Sequence, residues 1–405
     1  MLRSASPERR KIATILAFTS IPLSGFITDI YLPSMPSMAG SLNVPENQIQ
    51  LTLTLFFLSY GVSQLFVGSL LDSIGRYRVA LFSLAILMVS NILISISGSA
   101  VMICSLRVGQ GVATALLVVA KRAFFVDLYE GEERKYYLSY FTIVWSCGPI
   151  LAPFLGGYLQ QLFHWQANFY FLSFYAGILL ILELIYSGET ISEKKPFYIR
   201  KVAAQYGMML GNRLFILGII ILGLSYAVVL VFNISGPFVV EKSFGYNSVV
   251  VGYCTLVFGL SWMLGGILGK RLSHIDFTRK AVAASSLQLV LIGALLLWGM
   301  ASENLVCFVL FAFFIHTCSG FLYNVFFTDT MLYYPSNAGI AGGLLGGMVY
   351  LITSAASVVI ASVGQISTQN DMVIRYLIAS LLLCLTVYYL AGIRKRKKAL
   401  ASPVS

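Results

Sequence analysis

The sequence predicts an all-α polytopic membrane protein, with twelve transmembrane helices in two pseudo-symmetric six-helix bundles. Three observations predict it. The chain is 58% hydrophobic and only 11% charged, with a mean hydropathy of +0.84, which excludes a water-soluble globular domain. Its apolar residues fall into runs close to the roughly 20 residues that a bilayer-crossing helix needs. The basic residues collect on one side of those runs.

In order, the runs cover about residues 12–35, 49–71, 79–97, 101–126, 136–159, 165–187, 213–237, 247–269, 280–300, 304–327, 338–364 and 372–392. Every gap between them is short except the one after the sixth, which carries Glu193, Lys194, Lys195, Arg200 and Lys201. That gap divides the chain into an N-terminal bundle over 1–187, a linker over 188–212, a C-terminal bundle over 213–392 and a basic tail over 393–405. Two sets of six spans suggest internal duplication. The stretch Gly68 to Arg78 after the second run and Gly265 to His274 after the eighth each combine glycine, an apolar pair and a basic turn.

A net charge of +11 would raise the question of nucleic acid in a soluble chain. Here the positions of the charges answer it. Arg3, Arg9, Arg10 and Lys11, then Arg76 and Arg78, Arg134 and Lys135, the linker cations and Arg213, Lys270, Arg271, Arg279 and Lys280, and finally Arg394 to Lys398 all fall on the side that holds both termini. The opposite side has Lys242 and Arg375. Short cytoplasmic loops keep positive charge, so both termini are predicted to be cytoplasmic. The connection from Asp329 to Asn337 carries no Lys or Arg and adds nothing to this assignment. The basic start is not read as a secretory leader, because no small-residue cleavage site follows it and Asp29, Pro33 and Pro36 continue the segment. The partners expected are a small-molecule substrate and the lipid bilayer, with no nucleic acid and a monomeric chain.

Cys104, Cys147, Cys254, Cys307, Cys318 and Cys384 stand singly in apolar runs with no C-x-x-C pair, so neither a disulfide framework nor a metal site is predicted. His164, His274 and His316 are too scattered to form a ligand set. No nucleophile, paired-carboxylate or metal constellation suggests chemistry on a substrate, and no enzymatic activity or cofactor is expected.

The informative residues are polar ones at bilayer depth. An ionised Asp near the bilayer centre costs about 2.5–3.5 kcal/mol, so such a residue faces a cavity or a partner. Asp29 lies about six residues from the outer end of the first run and Arg107 about six from the outer start of the fourth, so at about 1.5 Å per residue both sit roughly 9 Å deep. A shared depth predicts that they pair, either as a fixed ion pair that orients two helices or as a site where the carboxylate exchanges its Arg for a proton or a cationic substrate. Burial and competing charge can tune such a carboxyl toward neutral pH.

Gln110, Thr114, Val118 and Lys121 continue the face of Arg107 at helical spacing, as Gln50, Thr54, Phe57, Gly61, Gln64 and Gly68 do in the second run and His316, Gly320 and Asn324 in the tenth. Gln64, Gln110, Thr114, Asn233, His316 and Asn324 are the candidate cavity contacts, with interhelical hydrogen bonding as the alternative for each. Glu183 is read either as lying near the inner mouth of its helix or as a second titrating acid. Gly148, Ala152 and Gly156, beside Pro149, Pro153 and Gly157, make a close-packing seam in the fifth run, as do Gly342, Gly343, Gly346 and Gly347 in the eleventh.

These residues carry a family resemblance. Gly68, Leu70, Asp72, Gly75 and Arg76 resemble the loop pattern G-x-L-a-D-r-x-G-r-k of the major facilitator superfamily, with Ser73 and Tyr77 departing from it. Arg107, Gln110 and Gly111 resemble its fourth-span R-x-x-Q-G, and Gly148, Pro149, Gly156 and Gly157 its antiporter pattern in the fifth span. Asp29 through Pro36 resembles the D-x-Y-L-P-x-x-P of the bicyclomycin-resistance (Bcr/CflA) drug/proton antiporters, as do Arg122 through Tyr129, with Val126 at the usual second Arg, and Ile234 through Phe238. The resemblance implies an inner-membrane multidrug efflux transporter with a central cavity lined by spans 1, 4, 7 and 10. It further implies proton coupling at Asp29 with Arg107, and a cytoplasmic gate built from Gly68, Asp72, Gly75, Arg76 and Asp127. Protons are then the coupling ion. Export of one endogenous metabolite, such as a siderophore or amino acid derivative, is the alternative function, and a non-transporting sensor is a distant third.

Overall fold

The computed structural model describes residues 2–191, 193–194, 196, 198–362 and 368–401; Lys195 of the linker and the last residues of the basic tail lie outside them. Among the described residues, every regular element is helical. Twelve helical segments are long and apolar enough to cross a membrane: Pro7–Leu42, Glu46–Ile74, Arg76–Ser95, Ala100–Leu128, Gly131–Leu162, Gln166–Tyr186, Arg213–Lys242, Ser248–Arg271, Phe277–Ala301, Leu305–Met331, Gly339–Ser362 and Gln369–Arg396. They are called here the first to twelfth spans. Each overlaps the apolar run that predicts it, with ends that differ by a few residues, and most extend beyond it at one end or both, because polar residues continue a helix into the headgroup layer.

Alternate spans run in opposite directions, so an even number places both termini at one end. Within each set of six, the closest packing joins second to fourth and eighth to tenth, third to sixth and ninth to twelfth. This repetition is the pseudo-symmetry of two bundles. The bundles meet along two seams, the second span against the eleventh and the fifth against the eighth. Backbones approach closely there, because helices in lipid associate through packing of small residues. A Cβ at Gly61 would press on the carbonyl of Gly347, and one at Gly252 on the carbonyl of Pro153.

Away from the termini the seams are sealed by polar contacts. Lys242 pairs with Glu46, Gln50 donates to the Ile234 carbonyl at 3.3 Å, Thr54 and Ser357 share a hydrogen bond of 2.7 Å, and Ser248 donates to the Gly157 carbonyl at 3.1 Å. Toward the termini the contacts thin. Tyr136, Tyr140 and Ile143 of the fifth span are exposed. The linker contributes one amphipathic helix, Ile199–Leu210. It is tied to the second span by Tyr206, whose hydroxyl donates to the Leu65 carbonyl at 2.8 Å. Burial pushes that phenol up to about 12, so it remains a donor at physiological pH.

Candidate functional site

The site starts with a broken helix. The first span is not continuous: α-helix runs over Pro7–Ser20 and Leu23–Asp29, a 3-10 turn over Leu32–Ser34, and α-helix again over Met35–Leu42. Pro22, Pro33 and Pro36 explain the interruptions, since proline lacks an amide donor and its ring crowds the preceding turn. Asp29 is the last helical residue before the central break and is 3% exposed. Its Oδ1 is buried without a hydrogen-bond partner.

Arg107 does not supply one. The expected pair is corrected here: among the described residues no ion pair within 4.0 Å joins Asp29 to Arg107. Arg107, 0% exposed, donates instead to the Ile27 carbonyl at 2.9 Å and to Gln110 Oε1 at 2.8 Å. Its guanidinium carbon lies 4.5 Å from the ring centre of Tyr31 and 4.6 Å from that of Phe56. Ile27 and Tyr31 stand two residues either side of Asp29. Arg107 therefore holds the segment on either side of Asp29 through a backbone carbonyl and an aromatic face rather than through the carboxylate. A shared depth does not fix the direction in which a side chain points.

Asp29 faces a narrow cleft between the bundles. Ser24, Gly25, Thr28, Phe56, Tyr60, Trp145 and Pro149 come to it from the first, second and fifth spans, and Tyr226 and Tyr350 from the seventh and eleventh. Tyr60 and Tyr350 have ring centres 4.5 Å apart, and Tyr226 lies 6.1 Å from Tyr350. The aromatic lining was not singled out from the sequence, because lipid-facing rings give the same composition.

None of the candidate cavity contacts lines this cleft. Gln110 is turned into its own bundle, donating to Asn91 at 3.0 Å and Ser90 at 3.2 Å. Thr114 donates to the Gln110 carbonyl at 2.7 Å. His316 shares a hydrogen bond of 2.8 Å with Tyr376 and packs on Phe258. Gln64 lies in the seam against Gly346, Asn233 is half-buried on the seventh span, and Asn324 is exposed beside Gly269. For Gln110 and His316 the interhelical alternative is what the structure shows, while Thr114 bonds within its own helix.

Residues of the loop pattern do come together. Arg76 bridges Asp72 at 2.6 Å and Asp127 at 3.1 Å. Gly75 holds φ +112° in the sharp turn between the second and third spans, a conformation that disfavours any side chain. Space there is also taken, because Glu189 packs against it. The Glu189 carboxylate accepts from the amides of Arg76 at 3.0 Å and Tyr77 at 3.3 Å, where a helix N-terminus favours an anion. Thr190 donates to Asp127 at 3.1 Å. Glu189 was missed in the sequence, where it is one acid at the mouth of a polar linker. Gly68 has open space around it and makes no close approach.

The fifth-span glycines serve two partners. Gly148 lies against the Pro22 carbonyl and Gly156 against the Ile30 carbonyl, both in the first span, with Pro149 against Gly25. Gly157 lies against Ser248 of the eighth span. One helix therefore carries the break that positions Asp29 and the seam between bundles.

The charges left unassigned by sequence find partners. Glu183 is 0% exposed and pairs with Lys121 at 2.5 Å, tying the sixth span to the fourth; it lies in the last turn of its helix, beside Arg76 and Thr190, as the inner-mouth reading has it, and Lys121 lines no wall of the central cleft. Asp329 pairs with Arg394 at 2.5 Å, tying the tenth span to the twelfth.

A register relation links the bundles. Arg107, Gln110 and Gly111 of the fourth span match His316, Ser319 and Gly320 of the tenth, and Asp29 with Pro33 matches Asn233 with Pro237. The packing agrees. Gly111 abuts the Phe56 carbonyl and the Tyr60 amide, and Gly320 abuts Trp262. Gln110 is joined to Asn91 of the third span, and Ser319 to Gln288 of the ninth.

Comparison with known proteins agrees with this architecture. Residues 17–393 match the family model described as Major Facilitator Superfamily. The chain is 26% identical over 348 residues to multidrug resistance protein D of Escherichia coli (strain K12), covering 83% of this chain and 86% of that protein. It is 27% identical over 271 residues to a bicyclomycin resistance protein homolog of Haemophilus influenzae, covering 66% and 67%. Among solved structures, a D-xylose-proton symporter superposes with a TM-score of 0.70 at 13% identity, covering 94% of this chain and 97% of that one. A nucleoside transporter superposes with a TM-score of 0.72 at 15% identity, covering 94% and 99%. At such identities the superpositions speak for the fold.

Proposed function

This chain belongs to the major facilitator superfamily, and from that premise we propose that it is a proton-coupled exporter of small amphipathic or hydrophobic compounds, working by alternating access in a bacterial inner membrane with both termini in the cytoplasm. It acts as a monomer and carries no cofactor beyond the coupling proton. The drug-resistance names of the relatives support export over import. The positively charged loops on the terminus-bearing side support the orientation.

One observation carries the coupling. Asp29 is a buried acid in the cleft between the two bundles, with a carboxylate oxygen that accepts no hydrogen bond among the described residues. A group so placed must take a proton, a water or a substrate as its partner, and the first and last of these exclude each other. The contacts that seal the seams away from the termini correspond to the arrangement reached from the cytoplasm. Substrate entering from that side displaces the proton from Asp29. After the bundles rock about the fifth and eighth and the second and eleventh spans, a proton from outside displaces the substrate. Coupling then needs only that proton and substrate prefer different arrangements. The drive is adequate: one charge crossing about 100 mV is worth ~2.3 kcal/mol, and about one pH unit adds ~1.4 kcal/mol.

The buried Arg107 network has a separate task in this scheme. It keeps the broken first span fixed to the fourth, so that Asp29 moves with its bundle. The test is uptake into inside-out vesicles under an acid-inside gradient. Asp29→Asn is expected to insert normally and to reduce gradient-driven uptake to background. Uptake at the wild-type rate would overturn the assignment.

A further inference from the structure

The sixth span ends without a basic residue in its last turn, although the final carbonyls of a helix have no donor within it. Arg9 of the first span supplies one. Its Nε donates to the Tyr186 carbonyl at 3.1 Å, and its Nη2 donates to the carbonyls of Ile185 at 3.3 Å and Ser187 at 3.1 Å. A guanidinium suits this place, which is the negative end of the helix dipole. Two residues on, Leu2 takes over. It is 2% exposed and is anchored in a small apolar cluster with Ala13, Ala17, Phe124, Leu128 and Tyr129. Its side chain lies beside Gly188, and its amide donates to the Glu189 carbonyl at 2.9 Å. Each residue from Ile185 to Glu189 is therefore touched by the segment from Leu2 to Arg9.

We infer that Arg9 and Leu2 are positioning residues of the Arg76 charge cluster, acting on it through Glu189. The third span is preceded by Gly75, which has no side chain to cap it. Glu189 provides the cap, with its carboxylate on the amides of Arg76 and Tyr77. The same carboxylate accepts from the amides of Thr190 at 3.1 Å and Ile191 at 3.3 Å, so its direction follows the turn that carries it. Thr190 in turn reaches Asp127, the partner of Arg76. This turn opens the linker to the C-terminal bundle. Held by its side chain alone, Glu189 would give up backbone and rotamer freedom each time it met the third span. The two anchors remove most of that cost beforehand, since Arg9 clamps the three carbonyls ahead of Gly188 and Leu2 clamps the carbonyl of Glu189 itself. A shift of the linker is thereby kept from pulling the carboxylate off the amides. The segment Leu2–Arg9 is in this sense a working part of the cytoplasmic cluster, although none of the loop pattern falls within it.

The test is amide hydrogen exchange on the full-length protein in detergent. Arg9→Ala is expected to quicken exchange at Arg76 and Tyr77 by about fivefold. The Arg279 amide, held by Asp276 in the other bundle, should stay within about twofold of wild type. Arg9→Lys keeps a cation on the carbonyls and should hold Arg76 and Tyr77 within about twofold as well. Because Glu189 is the link, adding Arg9→Ala to Glu189→Ala should quicken these two amides by less than about twofold beyond Glu189→Ala alone. Exchange at Arg76 and Tyr77 that ignores Arg9→Ala, or that rises equally at Arg279, overturns the inference. Effects of the two changes that multiply in the double variant overturn it too. Should Arg9→Ala prevent folding, Leu2→Ser loosens the second anchor alone and is expected to give the same pattern at about twofold to threefold; wild-type exchange there counts against the inference in the same way. The readout uses no substrate, so it stands or falls apart from the export reading.

Discussion

The two bundles share one packing plan but differ in charge. In the N-terminal bundle the matched positions hold Asp29, Arg107 and Gln110; in the C-terminal bundle they hold Asn233, His316 and Ser319. The shape is kept where the charge is not. The Arg107 guanidinium lies 4.6 Å from the ring centre of Phe56, and the His316 ring lies 4.6 Å from that of Phe258. Both bundles also tie their fourth and sixth members with one ion pair, but Lys121 and Glu183 are almost fully buried while Arg394 and Asp329 are about a quarter exposed. The difference supports the proposal that proton handling is confined to one bundle. The other supplies a neutral wall, Tyr226 and Tyr350, against which that charge works. A charged group in lipid persists where it is used or paired, and a duplicated bundle needs only one such set.

The comparison can be broken most severely at its charged pole. Asp29→Asn is expected to cost proton-driven transport more than about a hundredfold, whereas Asn233→Ala costs less than about tenfold, read as initial rates in vesicles and compared at about 1.4 kcal/mol per decade. Equal losses at the two positions would erase the asymmetry. Next come the ion pairs. Lys121→Met strands Glu183 in the interior and should destabilise by about 3–5 kcal/mol, largely recovered by the double change Lys121→Met with Glu183→Leu. Arg394→Met should cost only about 1 kcal/mol, because its partner keeps access to solvent. Thermal unfolding in detergent reads both.

A smaller effect separates Arg107 from its counterpart. Arg107→Ala leaves the Ile27 carbonyl and Gln110 without their donor and should slow transport by about tenfold or more at normal insertion, an amount matching the loss of charge-assisted hydrogen bonds. His316→Gln, able to keep a bond to Tyr376, should change rates by less than about threefold. A loss at His316 as large as that at Arg107 would place proton handling in both bundles. The mildest contrast lies at two helix starts. The third span is capped from a distance by Glu189, the ninth by its own Asp276, whose Oδ1 accepts from the Arg279 amide at 2.9 Å. Glu189→Ala and Asp276→Ala should each cost about 1 kcal/mol. Only the first should also loosen the loop around Arg76, seen as faster amide exchange at Arg76 and Tyr77.

Much of this was legible in the chain. Apolar runs give the spans because lipid forces each backbone group to bond within its own helix, and the basic loops give their direction. The R-x-x-Q-G and glycine patterns point to the right helices. What sequence spacing does not give is azimuth. Asp29 and Arg107 were placed at one depth, yet Arg107 bonds to the Ile27 carbonyl and to Gln110 and not to the carboxylate. Gln110 and His316 look like cavity polar groups by the same spacing that makes them interhelical ties. Glu183 with Lys121, and Asp329 with Arg394, are joined across 62 and 65 residues, distances over which no local pattern speaks. The tyrosines lining the cleft, Tyr60, Tyr226 and Tyr350, come from three spans, each of which shows only a tyrosine among many.

The most direct measurement counts protons. Binding of a transported compound to wild-type protein in weakly buffered detergent solution is expected to release up to one proton, with the amount falling to about zero in Asp29→Asn at saturating ligand. Proton release that continues unchanged in Asp29→Asn would contradict the account, because the exchanging acid would then lie elsewhere.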